Sequence, residues 1–395
     1  MTAVPGNKPQ HARVPPWRDV RVLRIVSQIV VVLAVGGLFA FLGLNLVDTM
    51  AERRLSFSLD FLDRRAGFDI GESPVPYDPN DSYGQAYLVG LMNTLFIGIV
   101  GIILATILGV IVGVARLSPN WLVRQIAGAY VELMRNTPLL VQLFFIFAIL
   151  LQLPPVRDTF ALPGGIFLNQ RGLFVPAPQP SPNFASWAVI VGAGLVAAVV
   201  AIVIARRRES AGQPTHRLRL IGLALFMAFA IGGWFAVGGE PVAFDVPRQE
   251  RFNFTGGMAL SASFTALLVG LVIYTAAFIG EVVRGGIQAV RRGQVEAALA
   301  LGLSGGQTLR LVVFPQALRV IVPPLTSQYL NLVKNSSLAI AVGYPDLFKV
   351  GVTMSNQTGQ PVPVIVLIMG TYLAISLITS LFMNVYNRRI QVLER

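Results

Sequence analysis

The sequence predicts an all-α integral membrane protein with about eight transmembrane helices, and three observations carry that expectation. Of the 395 residues, 54% are hydrophobic and only 13% are charged, about half the charged share of a soluble domain. The mean hydropathy is +0.67. The chain also holds long runs without Asp, Glu, Lys or Arg, and about 20 helical residues suffice to cross about 30 Å of hydrocarbon.

The first run, residues 25–47, is longer than the apolar core of a secretory signal. No small-x-small cleavage site follows it at 45–49, so it reads as a retained anchor. Residues 86–115 form the second run. The third, 137–153, is the shortest, and its helix is expected to begin near Tyr130. Residues 187–205 and 220–239 make a middle pair. Runs 258–280 and 361–387 follow, and between them 320–344 is apolar apart from Lys334. The connectors 69–74 and 176–180 are rich in Gly and Pro and read as turn-bearing surface structure.

Placing the N-terminus in the cytoplasm puts 20 Lys and Arg on inside segments and 9 on outside ones. That bias favours both termini inside. The outside segment 48–85 has four Arg, offset by eight acidic residues. The formal charge of +12 is therefore a topology signal, and nucleic acid is excluded as a partner. With no cysteine, disulfides, thiolate nucleophiles and Cys metal sites are excluded. His11 and His216 are the only imidazoles and lie in polar, Arg-containing stretches, so no metal site is expected. Lys8, Lys334 and Lys349 are the only lysines and none follows a glycine, which rules out a phosphate-binding GxxxxGK[ST] loop. No cluster of acids, His or an activated nucleophile suggests catalytic residues.

Two polar stripes interrupt the spans. Tyr274, Phe278 and Glu281 fall at i, i+4 and i+7, and Gln328, Asn331 and Asn335 at i, i+3 and i+7, with Lys334, Ser336 and Ser337 beside them. Ionisable groups in membrane segments are costly and usually face protein or a water-filled path, so these residues are candidates for a path suited to a zwitterion. The other reading is that they hydrogen-bond between helices and hold the bundle together. Glu132 and Arg135, like Glu281 and Arg284, are at i, i+3 spacing, which allows local ion pairs. They are either interfacial charges with snorkelling Arg or a cytoplasmic gate. Pro138 and Pro323-Pro324 fit places where a helix starts or breaks.

Between the sixth and seventh spans lies Glu296-Ala297-Ala298-Leu299-Ala300-Leu301-Gly302, continuing to Phe314-Pro315. It reads as a short Ala- and Leu-rich helix stopped where Gly302 enters positive φ, with a second helix from about Gly306 to Pro315. Such a helix suits docking in a groove of a soluble partner, or it lies amphipathically on the surface.

The spacing of Glu296-Ala297-Ala298, Gly302, Val312 and Phe314-Pro315 resembles the EAA loop of ABC importer permeases, with Val and Phe where that family usually has Ile and Leu. Glu132-Leu133-Met134-Arg135-Asn136-Thr137-Pro138-Leu139-Leu140-Val141-Gln142, Glu281-Val282-Val283-Arg284-Gly285-Gly286-Ile287 and Lys334-Asn335-Ser336-Ser337-Leu338 resemble segments of its polar amino acid branch. Arg64-Arg65-Ala66-Gly67-Phe68-Asp69-Ile70-Gly71-Glu72 and the insertion resemble the longer permease of the bacterial general L-amino acid transporters.

The resemblance implies a five-helix permease core split over 86–154 and 258–395. Residues 1–85 then add a cytoplasmic tail, one helix and a periplasmic loop, and 155–257 insert two helices and periplasmic loops. The EAA loop would occupy 284–316, with Glu296, Ala297, Ala298, Leu301, Gly302 and Pro315 contacting an ATPase. Independently of the resemblance, the gating reading of the paired charges would make Glu132, Arg135, Thr137, Pro138, Gln142 and Arg284 the gate residues. The implied partners are a second permease in a heterodimer, two ATP-binding subunits, a periplasmic amino acid binding protein and an L-amino acid substrate, all at the bacterial inner membrane. ATP and Mg would be held by the ATPase subunits, with no cofactor in this chain. An ion-coupled secondary carrier also suits polar stripes but does not explain the docking loop. A channel or membrane enzyme is the third class.

Overall fold

The computed structural model describes residues 20–52, 57–210 and 216–391. The tail with Lys8 and His11, residues 53–56, residues 211–215 and the last four residues lie outside the described residues, and with them part of the Lys/Arg census. Helix α1 (Val20–Glu52) contains the first apolar run, and its most apolar window buries nothing against the rest of the chain.

Residues 57–82 fold as a strap. It opens with a 3₁₀ turn at Asp60–Asp63 and is tied by backbone bonds from Ala66 to Asp81 (2.8 Å) and from Tyr83 to Arg64 (2.9 Å). Phe61, Ala66 and Ile70 are buried in it against Val89, Val350 and Met354.

Helix α2 (Tyr83–Ala115) starts at Ser82, whose hydroxyl accepts the Gln85 N–H at 3.2 Å, a normal N-cap. Gly98, Gly101, Ala105, Gly109 and Gly113 recur along it at three- and four-residue spacing. Lipid supplies no hydrophobic drive between helices, so close backbone approach has to supply the attraction. A Cβ on Gly113 would stand 2.7 Å from the carbonyl oxygen of Gly280 in the seventh helix.

Helices α3 (Trp121–Asn136) and α4 (Leu139–Leu151) meet at a 108° bend. The single helix expected from Tyr130 onward does not form. The Pro138 ring pushes Thr137 into extended backbone, with φ −105° and ψ 132°, and Pro138 has no N–H to continue the ladder.

The connectors around the middle pair contain short strands in place of plain turns. They are β1 (Phe160–Leu162), β2 (Ile166–Asn169), β3 (Gly172–Val175) and β4 (Ala177–Pro180) before helices α5 (Phe184–Ser210) and α6 (His216–Ala236). After them come β5 (Val242–Asp245), β6 (Arg248–Gln249), β7 (Phe254–Thr255) and β8 (Met258–Ser261). They form an antiparallel sheet β1-β2-β3-β8 and the pairs β4-β5 and β6-β7. α5 and α6 pack on each other: Trp187 Nε1 donates to the Ala230 carbonyl at 3.0 Å, and its ring meets Trp234 edge-on. The apolar part of α6, Leu220–Ala236, falls short of a full span. Among the described residues six helices are long and apolar enough to cross, or seven with the bent α3–α4 pair.

Residues 258–261 are strand, so the sixth run becomes helix α7 (Ala262–Gln288), capped by Ser261 accepting from the Phe264 N–H at 3.0 Å. Helix α8 (Arg292–Ala300) and the turn α9 (Gly305–Thr308) follow. The helix opened by α9 does not end at Pro315. A widened π turn at Leu309–Val313 shifts the hydrogen-bond register ahead of that proline, and the helix continues into α10 (Phe314–Asn335). Pro323 and Pro324 lie inside α10 without breaking it, although neither has an N–H to donate to the preceding turn.

After a 3₁₀ turn at Ser336–Ala341, residues expected as loop form α11 (Leu347–Thr358). Asp346 Oδ1 caps it by accepting the Lys349 N–H at 2.9 Å, and Gly359 ends it at φ +66°. Helix α12 (Pro361–Gln391) closes the chain. The seam of the bundle is α2 against α7 and α10, where Ala105, Ile279, Val283, Ala317, Ile321 and Leu332 are buried together.

Candidate functional site

At the end of the bundle from which α8 projects, α2 and α7 each bring an arginine to Glu281. Arg116 caps the C-terminus of α2 and donates from Nη1 to Glu281 Oε2. Arg284, one turn on in α7, donates Nε at 3.1 and 3.2 Å to the two carboxylate oxygens, with Nη2 on Oε1 as well. Its Nη1 reaches Gln288 Oε1 at 2.6 Å. The spacing of Glu281 and Arg284 is thus realised as an ion pair. Glu132 and Arg135 do not pair. The Arg135 guanidinium lies 5.3 Å from the centroid of the Phe278 ring, a cation–π contact, and Phe278 in turn meets Tyr274 at 4.9 Å. A cavity of about 320 Å³ opens between Arg116, Glu132, Arg135, Asn136, Phe278 and Glu281. Arg116 was not among the sequence candidates, because its partner lies 165 residues away.

The α3–α4 break is closed by Gln142. Its Nε2 donates to the Met134 carbonyl at 2.9 Å and to the Thr137 carbonyl at 3.0 Å, satisfying acceptors that the break leaves without helical donors. Its Oε1 is buried with no donor. Thr137 Oγ1 donates back to the Leu133 carbonyl at 2.8 Å.

The second stripe occupies a different face. Gln328 and Asn335 are half-buried, and Asn331 and Lys334 are exposed. Ser336 is fully buried, its hydroxyl donating to the Val333 carbonyl at 2.7 Å, and Ser337 donates to the Lys334 carbonyl at 2.8 Å. Tyr274, Phe278 and Glu281 therefore join α2 and α3 residues, while the α10 residues form a separate group. In the loop between α7 and α10, Glu296 and Ala297 are exposed, and Ala298 is the residue of α8 that packs inward. Leu301 is 83% exposed. Gly302 sits at φ +82° with no atom near the position of a Cβ, so backbone conformation alone selects glycine there. Pro315 is exposed at the start of α10.

The opposite end holds a polar cluster that the spacing of residues did not reveal. Asn93, buried in α2, donates to the Glu72 carbonyl at 2.8 Å and to the Pro345 carbonyl at 2.9 Å. Thr94 Oγ1 accepts the Leu347 N–H at 3.0 Å. Asp346 is fully buried, and Tyr372 donates to its Oδ2 at 3.1 Å. Burial pushes the Asp346 carboxyl up to about 6 and also raises that of Glu72. Ser261 donates to Glu72, and the Lys349 ammonium to the Gly343 carbonyl. Two signals for this cluster were present in the sequence. Asn93-Thr94 is a polar pair inside an uncharged run, and Asp346 precedes a helical pattern as an N-cap should.

Comparison with known proteins bears on all of this. Residues 216–392, from α6 through α12, match the family described as binding-protein-dependent transport system inner membrane component. The chain is similar to the general L-amino acid transport system permease protein AapQ of Rhizobium johnstonii, at 43% identity over 95% of this chain and 94% of the relative. It is also similar to the glutamate/glutamine/aspartate/asparagine transport system permease protein BztB of Rhodobacter capsulatus, at 41% identity over 95% of this chain and 96% of that protein.

Proposed function

We propose, from the premise that this chain belongs to the amino acid permeases of the binding-protein-dependent ABC transporters, that it forms one half of an L-amino acid path. A second permease supplies the other half. The observation that carries this reading is the form of α8: a nine-residue helix between two membrane-spanning helices, ending in the exposed Leu301 and the left-handed Gly302. An exposed leucine at the tip of a short projecting helix suits a protein groove. Two ATPase subunits, which hold ATP and Mg, would receive it through Glu296, Ala297, Leu301, Gly302 and Pro315, with Ala298 anchoring it to the bundle.

Transport in this reading is alternating access. A loaded periplasmic binding protein and ATP each bind one arrangement of the helices better than the other, and that difference in affinity drives the exchange. The gate is the cluster of Arg116, Glu281, Arg284, Arg135 and Phe278, with the Gln142-bridged break at Pro138 as its hinge. The α10 residues Gln328, Asn331, Lys334 and Asn335, with Ser337 of the turn that follows, line the face toward the second permease, and Ser336 holds that turn. The chain lies in the bacterial inner membrane with both termini, and the α8 end, in the cytoplasm.

Gly302→Asp tests the coupling role. An L-residue at this φ is strained by roughly 1–2 kcal/mol, so the present end of α8 is disfavoured. Uptake of labelled amino acid should fall while membrane insertion is unchanged, and Gly302→Asn, which tolerates the conformation better, should fall less. Normal uptake by the Asp variant would sink the assignment.

A further inference from the structure

Beside Glu72 of the strap is a cavity of about 450 Å³ whose wall includes Phe68, Ile70, Glu72, Ser261, Lys349 and Val350. That volume falls in the usual range for small-molecule sites. Besides an exposed acid, the wall carries two half-buried side chains of opposite charge, Glu72 and Lys349, and they do not pair with one another. Glu72 is held by Ser261, the residue that caps α7, and Lys349 by the carbonyl of Gly343. Each charge is thus oriented by a neutral partner on a different element, with the cavity between them. Burial raises the carboxyl of Glu72, and the nearby Lys349 acts in the opposite direction, so the two feel each other's field across it. Phe68, Ile70 and Val350 form an apolar part of the wall, and Thr353 is a further polar member. Asp69 also lines the space and is exposed.

We propose that this cavity receives a zwitterionic α-amino acid, with Glu72 accepting from its α-ammonium, Lys349 donating to its α-carboxylate and the apolar wall taking its side chain. The proposal rests on the reading of this chain as an amino acid permease and adds a second station, at the end of the bundle opposite the Glu281 cluster. The strap would then be the element that builds the site, since Phe68, Ile70 and Glu72 all come from it.

The test uses the full-length chain in detergent and three probes, L-alanine, propionate and L-alaninamide, followed by saturation-transfer NMR titration. The intact chain should prefer L-alanine over both truncated probes. Glu72→Gln should weaken L-alanine about tenfold, the usual worth of a charge-assisted hydrogen bond, and leave propionate unchanged. Lys349→Met should weaken L-alanine and propionate alike and leave L-alaninamide unchanged, and Lys349→Arg should restore binding. Equal L-alanine affinity in all variants would overturn the site, as would no binding to the unsubstituted chain. Parallel loss of all three probes with a lowered melting temperature would also overturn it, by showing that the two residues only staple the strap. Amino acid uptake in cells lacking this chain is read separately. If uptake is lost on deletion but L-alanine binding ignores both substitutions, the cavity assignment falls and the permease reading stands. If the substitutions act as stated but deletion leaves uptake intact, the permease reading falls.

Discussion

At the α8 end Glu281 meets Arg116 and Arg284 through side chains 19–28% exposed, whereas at the strap end Asp346 and Asn93 are buried and answered by directed hydrogen bonds from four different segments. Partly exposed ion pairs exchange with water at small net cost. Buried polar groups do not, because each broken bond leaves an unsatisfied partner in a low dielectric. The contrast suits a molecule that opens and closes at the charged end and keeps the strap, α2, α11 and α12 together at the other. It also gives stability measurements a clear order.

The largest effect is expected at Asn93. Asn93→Asp keeps the shape of the side chain but removes both donors and sets carboxylate oxygens against the carbonyls of Glu72 and Pro345. Two unsatisfied buried acceptors at about 1–3 kcal/mol each predict a loss of about 2–6 kcal/mol, read as a lower melting temperature by circular dichroism in detergent. A loss under about 1 kcal/mol would mean that water reaches these carbonyls, and the contrast between the ends would break.

The same contrast explains what was legible in the sequence. Uncharged runs located the helices because hydrocarbon enforces that pattern over about 20 residues, and the i, i+3 spacing of Glu281 and Arg284 located their pair because both sit on one helix. Local proline chemistry was read correctly at Pro138 and misread at Pro315 and Pro323-Pro324. There a π turn and an exposed helix face absorb the missing donors, and nothing in the residue itself announces either. The strands at 160–180 and 242–261 went unseen because each is only two to four residues long, and two of their pairings, β3–β8 and β4–β5, form across the inserted helices. Arg116 with Glu281, and Asn93 with Pro345, are contacts between distant segments, so only the fold could bring them together.

A second, smaller effect should appear on changing pH. Asp346 has its carboxyl raised from 3.8 to about 6 by burial, so the folded chain favours the neutral form. Its contribution is fully present below the unfolded value and is lost as pH rises through about 6. A shift of this size corresponds to at most about 3 kcal/mol. The melting temperature should therefore rise as pH is lowered from 7 toward 5. Glu72, shifted the same way, adds to the trend. Asp346→Asn should remove most of the slope, and an unchanged slope in that variant would assign it to other groups.

The smallest effect is expected at the charged end. Arg116→Ala removes one cation from Glu281 and leaves Arg284 in place, so the carboxylate is never stranded. Exposed pairs contribute up to about 1 kcal/mol and are weakened by salt, and the melting temperature should move by no more than that corresponds to. The change should shrink further in high salt. Under the proposed gating, uptake is the more sensitive readout, because removing a contact between α2 and α7 would shift the balance between the two arrangements even where total stability hardly moves. Should Arg116→Ala cost over about 2 kcal/mol, independent of salt, this end would be as firmly built as the strap. The gate would then have to lie elsewhere, with the Pro138 break and Gln142 as the next place to look.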